Sequence, residues 1–140
     1  MPIHKILYTS QAKHPVSKEE CRRILAASRD NNRQNDVTGL LIYLENGTFI
    51  QLLEGDAEAV GQTMDRISRD PRHEHIGVIT EYNDDRRDFG GWEMAFRAMR
   101  PDEMKSELGF HDITDGDYRN AFKNGPAILS VMRNLCLANT

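Results

Sequence analysis

Seven residues, Phe49-Ile50-Gln51-Leu52-Leu53-Glu54-Gly55, restrict the fold of this chain more than any other stretch. They form a short apolar run between two turn signals, Asn46-Gly47 before it and Gly55-Asp56 after it, and so read as a strand. Side chains alternate along a strand, so Phe49, Gln51 and Leu53 share one face and Ile50, Leu52 and Glu54 the other. Both faces are largely apolar, which places the strand in the middle of a sheet covered on both sides. Gln51 is the exception. Burying either end of its amide without a partner costs about 1–3 kcal/mol, so the fold has to supply partners for both ends.

The flanking segments supply the rest of the sheet. Ile3 to Ser10 reads as a strand with His4, Ile6, Tyr8 and Ser10 on one face. Ser17 and Glu20 form a capping box, and the helix after them carries Cys21, Ile24, Leu25 and Ser28 on one stripe. The polar run Asp30 to Asp36 is expected to end that helix. Val37 to Leu44 is a second strand, joined to the central one by a hairpin at Glu45-Asn46-Gly47. Asp56 caps a second helix, from about Ala57 to Arg69, with Val60, Met64 and Ile67 facing inward, and Asp70-Pro71 stops it. Ile76 to Tyr82 and Trp92 to Met99 are further strands, the last with Trp92, Met94, Phe96 and Ala98 on one face. His73-Glu74-His75 is expected at a solvated turn before the fourth strand.

The order β-α-β-β-α-β-β is a ferredoxin-like α+β pattern with an added strand. Right-handed crossovers put both long helices on one face of the sheet. Beyond Arg100-Pro101 the character changes to short helical pieces, including one starting at Asn124-Gly125-Pro126 with Ile128, Val131, Met132 and Leu135 on one face. Residues 1–99 are expected to form the domain, and residues 100–140 a helical cap over the other face of the sheet.

At 140 residues the chain has room for one domain with a real core. Its net charge of −4 gives no reason to expect binding to nucleic acid or to anionic membranes. No apolar run approaches the ~20 residues of a membrane helix, and the N-terminus lacks the apolar core of a secretory signal. Cys21 and Cys136 read as buried thiols, which fits a reducing, cytoplasmic setting. No cluster of histidine and cysteine has the spacing of a metal site.

In a ferredoxin-like sheet the first and third strands are central neighbours, so Tyr8 and Gln51 fall side by side on the helix-covered face. A buried Tyr hydroxyl is a ready partner for a Gln amide. Ile24 and Ile67 face inward from the two helices, and Asn31 and Asn32 sit where the first helix is expected to end. Each residue alone has an ordinary structural explanation. Together they outline a slot with apolar walls and a polar edge, suited to a planar ligand with a heteroatom-rich rim.

These residues carry a family resemblance. Leu7-Tyr8-Thr9-Ser10, Ser28-Arg29-Asp30-Asn31-Asn32, Thr38-Gly39-Leu40-Leu41-Ile42-Tyr43, Phe49 to Gly55, Asp70-Pro71-Arg72-His73 and Arg87-Asp88-Phe89-Gly90-Gly91-Trp92-Glu93-Met94 follow one another in order. Over roughly residues 3 to 99 the chain resembles a BLUF domain, the blue-light sensor family that binds flavin. The tail resembles the family only in being helical.

The resemblance implies a non-covalent flavin between the two helices: FAD, or FMN or riboflavin in its place. Ile24 and Ile67 would lie against the ring. Gln51 would bond to the ring edge and to Tyr8, and Asn32, with Asn31 close by, to the C4=O and N3 edge. Arg72 and His73 would contact the C2=O side and the ribityl chain, with Asp70 nearby. Ser10, Trp92 and Met94 would stand beside Gln51. In the implied photocycle an electron and a proton leave Tyr8, the proton by way of Gln51, and return, leaving Gln51 rotated or tautomerised. That is a switch and not an enzymatic turnover.

Output would then pass to a separate effector, such as a cyclic-nucleotide or cyclic-di-nucleotide enzyme or a transcription regulator, with a homo-oligomer expected. The C-terminal tail is expected to relay the signal from the strand carrying Trp92 and Met94. Two alternatives stand beside this reading: a non-photoactive ferredoxin-like module that binds another small ligand or serves as an interaction surface, and an enzyme such as a flavin oxidoreductase or an acylphosphatase-like hydrolase. Against the enzyme, the residues show no dedicated acid–base pair and no phosphate-cradling glycine loop.

Overall fold

The computed structural model describes residues 2–45, 47–91 and 93–99. Along the chain run β1 (Ile3–Ala12), α1 (Lys18–Asn35), β2 (Thr38–Leu44), β3 (Thr48–Gly55), α2 (Ala57–Ser68), β4 (His73–Asp84) and β5 (Ala95–Met99). The strands form one sheet in the order β4-β1-β3-β2-β5. β3 pairs antiparallel with both β1 and β2, β4 pairs antiparallel with β1, and β5 adds to β2 in parallel. This is the expected ferredoxin-like α+β pattern with one added strand.

Register follows from the apolar pattern. β3 lies between two other strands and is buried along its whole length, as a run apolar on both faces requires. Tyr8 stands directly across from Gln51 on one side, and Leu41 on the other. Gly39 is fixed by the same pairing. A Cβ there would lie 2.0 Å from the backbone oxygen of Leu52, so only glycine lets β2 approach β3 so closely.

Both helices pack on the face that carries Tyr8. Cys21, Ile24 and Leu25 from α1, and Val60, Met64 and Ile67 from α2, join Ile6, Tyr8, Leu41, Phe49 and Leu53 in one apolar cluster. On the other face Leu7, Leu44, Ile50 and Leu52 are fully buried. The expected C-terminal cap, the division at residue 99, Trp92 and Cys136 lie outside the described residues.

Three local expectations are corrected. First, α1 does not stop at Asp30. It continues to Asn35 and ends on Asp36, which takes the left-handed conformation (φ 54°) and donates its N–H to the Asn32 carbonyl. The polar run stays helical because its side chains bond one turn apart: Arg33 and Gln34 to Asp30, and Asn35 to the Asn31 carbonyl at 2.8 Å. Asn31 and Asn32 therefore lie within the helix and not at its end. Second, β4 starts at His73, because β1 runs on to Ala12 and offers partners there. His73-Glu74-His75 is thus strand, with His75 at φ 54°. Third, β5 begins at Ala95 opposite Leu40, so Met94 lies just before the strand.

Among the described residues no helix is long and apolar enough to cross a membrane, and no group of His, Cys, Asp and Glu is arranged to hold a metal.

Candidate flavin site

Between α1, α2 and the sheet lies a cavity of about 680 Å³, well within the ~300–1,000 Å³ of small-molecule sites. Its walls include Val16, Ile24, Leu41, Phe49 and Ile67, and its floor carries Tyr8 and Gln51. Ile24 and Ile67 come from the two helices, as their spacing predicted.

The Tyr8 hydroxyl donates to Gln51 Oε1, and both side chains are buried. Burial, with the charge of Asp70 as a second cause, pushes the Tyr8 phenol well above its ordinary pKa. It stays protonated at any physiological pH. The other end of the Gln51 amide, Nε2, meets Met94 Sδ at 3.8 Å. A thioether is a weak acceptor, so this donor is poorly satisfied for a buried group. Asn31 shows the same deficit, with Nδ2 buried and without a hydrogen-bond partner. Its Oδ1 accepts from Arg66, whose side chain lines the cavity, and from Asn35 Nδ2 at 3.1 Å.

One end of the cavity is polar. His73 joins three elements: Nε2 donates to the Ile67 carbonyl at 2.7 Å, and Nδ1 lies 2.8 Å from Ser10 Oγ. The carbonyl can only accept, so Nε2 carries a proton and, in the neutral ring, Nδ1 accepts from the Ser10 hydroxyl. Arg72 is forked onto Asp70 through Nε at 2.9 and 3.0 Å. That hydrogen bond chiefly holds the Asp70 carboxyl below its usual range, while the same partner raises Arg72. Ser10, Asp70, Arg72 and His73 all line the cavity.

Asn32 takes a different place. It is almost wholly buried, is not among the cavity-lining residues, and donates Nδ2 to the Glu93 carbonyl at 2.6 Å. Arg29 Nε, one turn back, donates to the Met94 carbonyl at 3.0 Å. The end of α1 thus holds the segment that carries Met94. Trp92 falls outside the described residues. Sequence reasoning missed His14, Glu20, Arg66 and Arg69 at the cavity. Arg66 and Arg69 were visible as residues one turn apart near the end of a helix facing the slot, but periodicity alone marks such positions as solvated.

The residues fit a flavin. The walls are apolar, half-buried isoleucines line the slot from both helices, and the amide donor of Gln51 at its floor meets only a sulfur; Asn31, like Asn32, is not among the residues lining it. A family model described as sensors of blue light using FAD matches residues 3–95. Photoactivated adenylate cyclase subunit beta of Euglena gracilis is 36% identical over 74 residues, 53% of this chain and 8% of that protein. The blue light- and temperature-regulated antirepressor BluF of Escherichia coli (strain K12) is 33% identical over 105 residues, 74% of this chain and 25% of that protein. The chain therefore spans only a small part of these relatives. The structure of BlsA in its photo-activated state superposes with a TM-score of 0.75 at 26% identity, covering 96% of this chain and 94% of that one. With the family model matching well over half of its length, the chain belongs to the BLUF family of flavin-binding blue-light sensors.

Proposed function

We infer that Tyr8 and Gln51 are the photoswitch of this sensor and that its flavin is FAD. The observation that carries the reading is the buried Tyr8–Gln51 hydrogen bond in the cavity floor, with the far end of the amide held only by sulfur. When bound, the flavin supplies a light-activated oxidant and a rim of hydrogen-bond acceptors. The chain supplies the rest. Tyr8 keeps its proton on the hydroxyl, aimed at Gln51 Oε1, and that bond is the path by which the proton leaves and returns. Gln51 has a donor end and an acceptor end of similar shape, so rotation exchanges one for the other without a change in volume. Leaving a thioether costs little, because a soft, weak acceptor is easily replaced. Ile24 and Ile67 hold the ring flat and keep water from the switch. Arg72, His73 and Asp70 orient its polar flank. Asn32 acts from behind, fixing the Glu93 carbonyl.

FAD is supported by the family description, and the arginines and His14 at the cavity suit a phosphate-bearing flavin better than riboflavin. The output is a change in an effector. The Euglena relative is named for adenylate cyclase and the Escherichia coli relative for antirepression, so a nucleotide cyclase or a transcription regulator is the class of partner to seek.

The test is absorbance of the purified protein. A flavin spectrum that shifts reversibly to the red in blue light is expected. Tyr8→Phe and Gln51→Leu should each keep the flavin and lose the normal shift. A full photocycle in either variant would move the switch to other residues.

A further inference from the structure

On the sheet face away from the cavity, β1 and β3 set Lys5 directly across from Glu54, and both side chains are fully buried. Such charges persist only when paired and hydrogen-bonded. Glu54 is saturated. Oε1 accepts from Thr38 Oγ1 at 2.9 Å and from the Phe89 N–H at 2.7 Å. Oε2 accepts from the Asp88 N–H at 2.8 Å and lies 3.4 Å from Lys5 Nζ. Lys5 also donates to Asp88 Oδ2 at 2.6 Å and stands 3.4 Å from Asp84 Oδ2. Arg87 ties the same segment to Thr38 Oγ1 and to the Asp36 carbonyl, each at 2.9 Å.

Holding a strand end in place does not call for two main-chain N–H groups of a distant segment on one carboxylate. Those two groups belong to the connection between β4 and β5. A few residues further on, the same connection brings Met94 to Gln51, where Arg29 and Asn32 hold it again. Between the two points the chain passes Gly90 and Gly91, the latter at φ +88°, a conformation that glycine adopts without strain. The reach of Met94 Sδ is therefore set from both sides.

We propose that Glu54 is a positioning residue for the Gln51 switch: by fixing the main chain at Asp88 and Phe89 it places the Met94 thioether against the Gln51 amide. This rests on the reading of Gln51 given above. Glu54 and Gln51 sit on one strand and point to opposite faces, so Glu54 acts through the clamped connection and does not touch the cavity. Loosening the clamp withdraws the sulfur, which changes the balance between the two orientations of the amide.

The test is Glu54→Gln, which keeps the shape and one carbonyl oxygen but turns an NH2 toward the remaining donors. Two quantities are read. One is the Met94 methyl resonance, assigned by its loss in Met94→Leu, in flavin-free and flavin-loaded protein in the dark. The other is the rate of dark recovery after blue light. The Met94 resonance is expected to move in both forms, and recovery to change by about tenfold, equivalent to ~1.4 kcal/mol. Asp84→Asn, which changes the outer side of Lys5 and keeps an oxygen for the Asp85 N–H, should leave the resonance in place and recovery within about twofold. If Glu54→Gln does not fold, Lys5→Met combined with Glu54→Gln removes the unpaired ammonium and is read instead. A folded variant with an unchanged Met94 resonance and unchanged recovery overturns the proposal. A wild-type protein that shows no photocycle overturns the Gln51 reading, while the methyl resonance still decides whether Glu54 positions Met94.

Discussion

On the helix-covered face of the sheet, Gln51 has one strong partner and one weak one, and beside it lies an open cavity. On the opposite face of the same strand, Glu54 accepts three hydrogen bonds, stands 3.4 Å from the Lys5 ammonium and is fully buried. Both residues are buried and polar, yet their surroundings differ in kind. A fully satisfied group in a low-dielectric interior is hard to move, because any displacement leaves a charge unpaired. A group whose second partner is a sulfur atom can exchange partners at little cost. One strand thus carries a part able to switch and, three residues on, a part that stays fixed.

The largest effect expected from breaking this contrast lies on the saturated face. Lys5→Met leaves Glu54 and Asp88 without their cation, and loss of one partner of a buried pair costs about 3–5 kcal/mol. Urea denaturation measures it. Lys5→Met with Glu54→Leu should not recover the loss, because the Asp88 and Phe89 N–H groups and the Thr38 hydroxyl are then left without their acceptor. A single variant as stable as the wild type would show that the network is not the anchor described here.

On the cavity side the corresponding loss should appear in ligand affinity and not in folding. Ile67 is only half-buried and lines the cavity, so Ile67→Ala removes wall contact from the ring more than core packing from the protein. Flavin binding, followed by fluorescence quenching, should weaken about tenfold, with a smaller change in the stability of the flavin-free protein. Gln51→Leu sharpens the contrast further. It leaves the buried Tyr8 hydroxyl without its acceptor, so denaturation should show a loss of about 1–3 kcal/mol and no more, while the light response disappears. A large destabilisation would mean that the amide is a structural bond and not a switch.

The sequence made the sheet legible because its signals were periodic. A strand apolar on both faces had to be central, and once β3 was central the Tyr8–Gln51 register followed from topology. The capping box at Ser17 was likewise local and was found at Ser17 Oγ, accepting the Glu20 N–H at 3.1 Å. What escaped were features that depend on partners distant in sequence. Lys5 and Glu54 were readable only as a solvated charge and a strand-end acid; that they pair is known once β1 and β3 are in register. The run Asp30 to Asp36 looked like a helix stop by composition, but its i, i+4 bonds and the contacts of Asn32 and Arg29 to residues 93–94 keep it helical. His73 looked like a turn residue, because nothing local announces a ring bridging Ser10 and the Ile67 carbonyl.

The smallest expected effect concerns pH, and it separates the carboxyl at the cavity from the phenol and the ammonium by sign. Asp70, at the cavity, has its pKa held below the ordinary carboxyl value of 3.8 chiefly by its hydrogen bond with Arg72. A depressed carboxyl contributes stability that is present above the unfolded value and lost as pH falls through the folded one. Lys5, on the other face, is raised above 10.5: burial alone would lower it, but the bond to Asp88 and the charges of Glu54 and Asp88 outweigh that. A raised ammonium contributes stability that is complete below the unfolded value and lost only as pH rises through the folded one. The Tyr8 phenol, raised by burial and then by Asp70, is lost in the same alkaline direction, above its ordinary value of 10.0. Between these limits none of the three titrates, so the melting temperature and light response should be flat with respect to these groups from about pH 5 to pH 9. Asp70→Asn should lower stability at pH 7 by no more than about 1 kcal/mol, because the pair is partly exposed, and the difference should shrink as pH falls below the ordinary carboxyl value of 3.8. It should also bring the alkaline titration of Tyr8 to lower pH, as followed by ultraviolet difference absorbance in the flavin-free protein. If the Tyr8 titration does not move, Asp70 does not act on the phenol, and the polar end of the cavity and the switch are electrostatically separate.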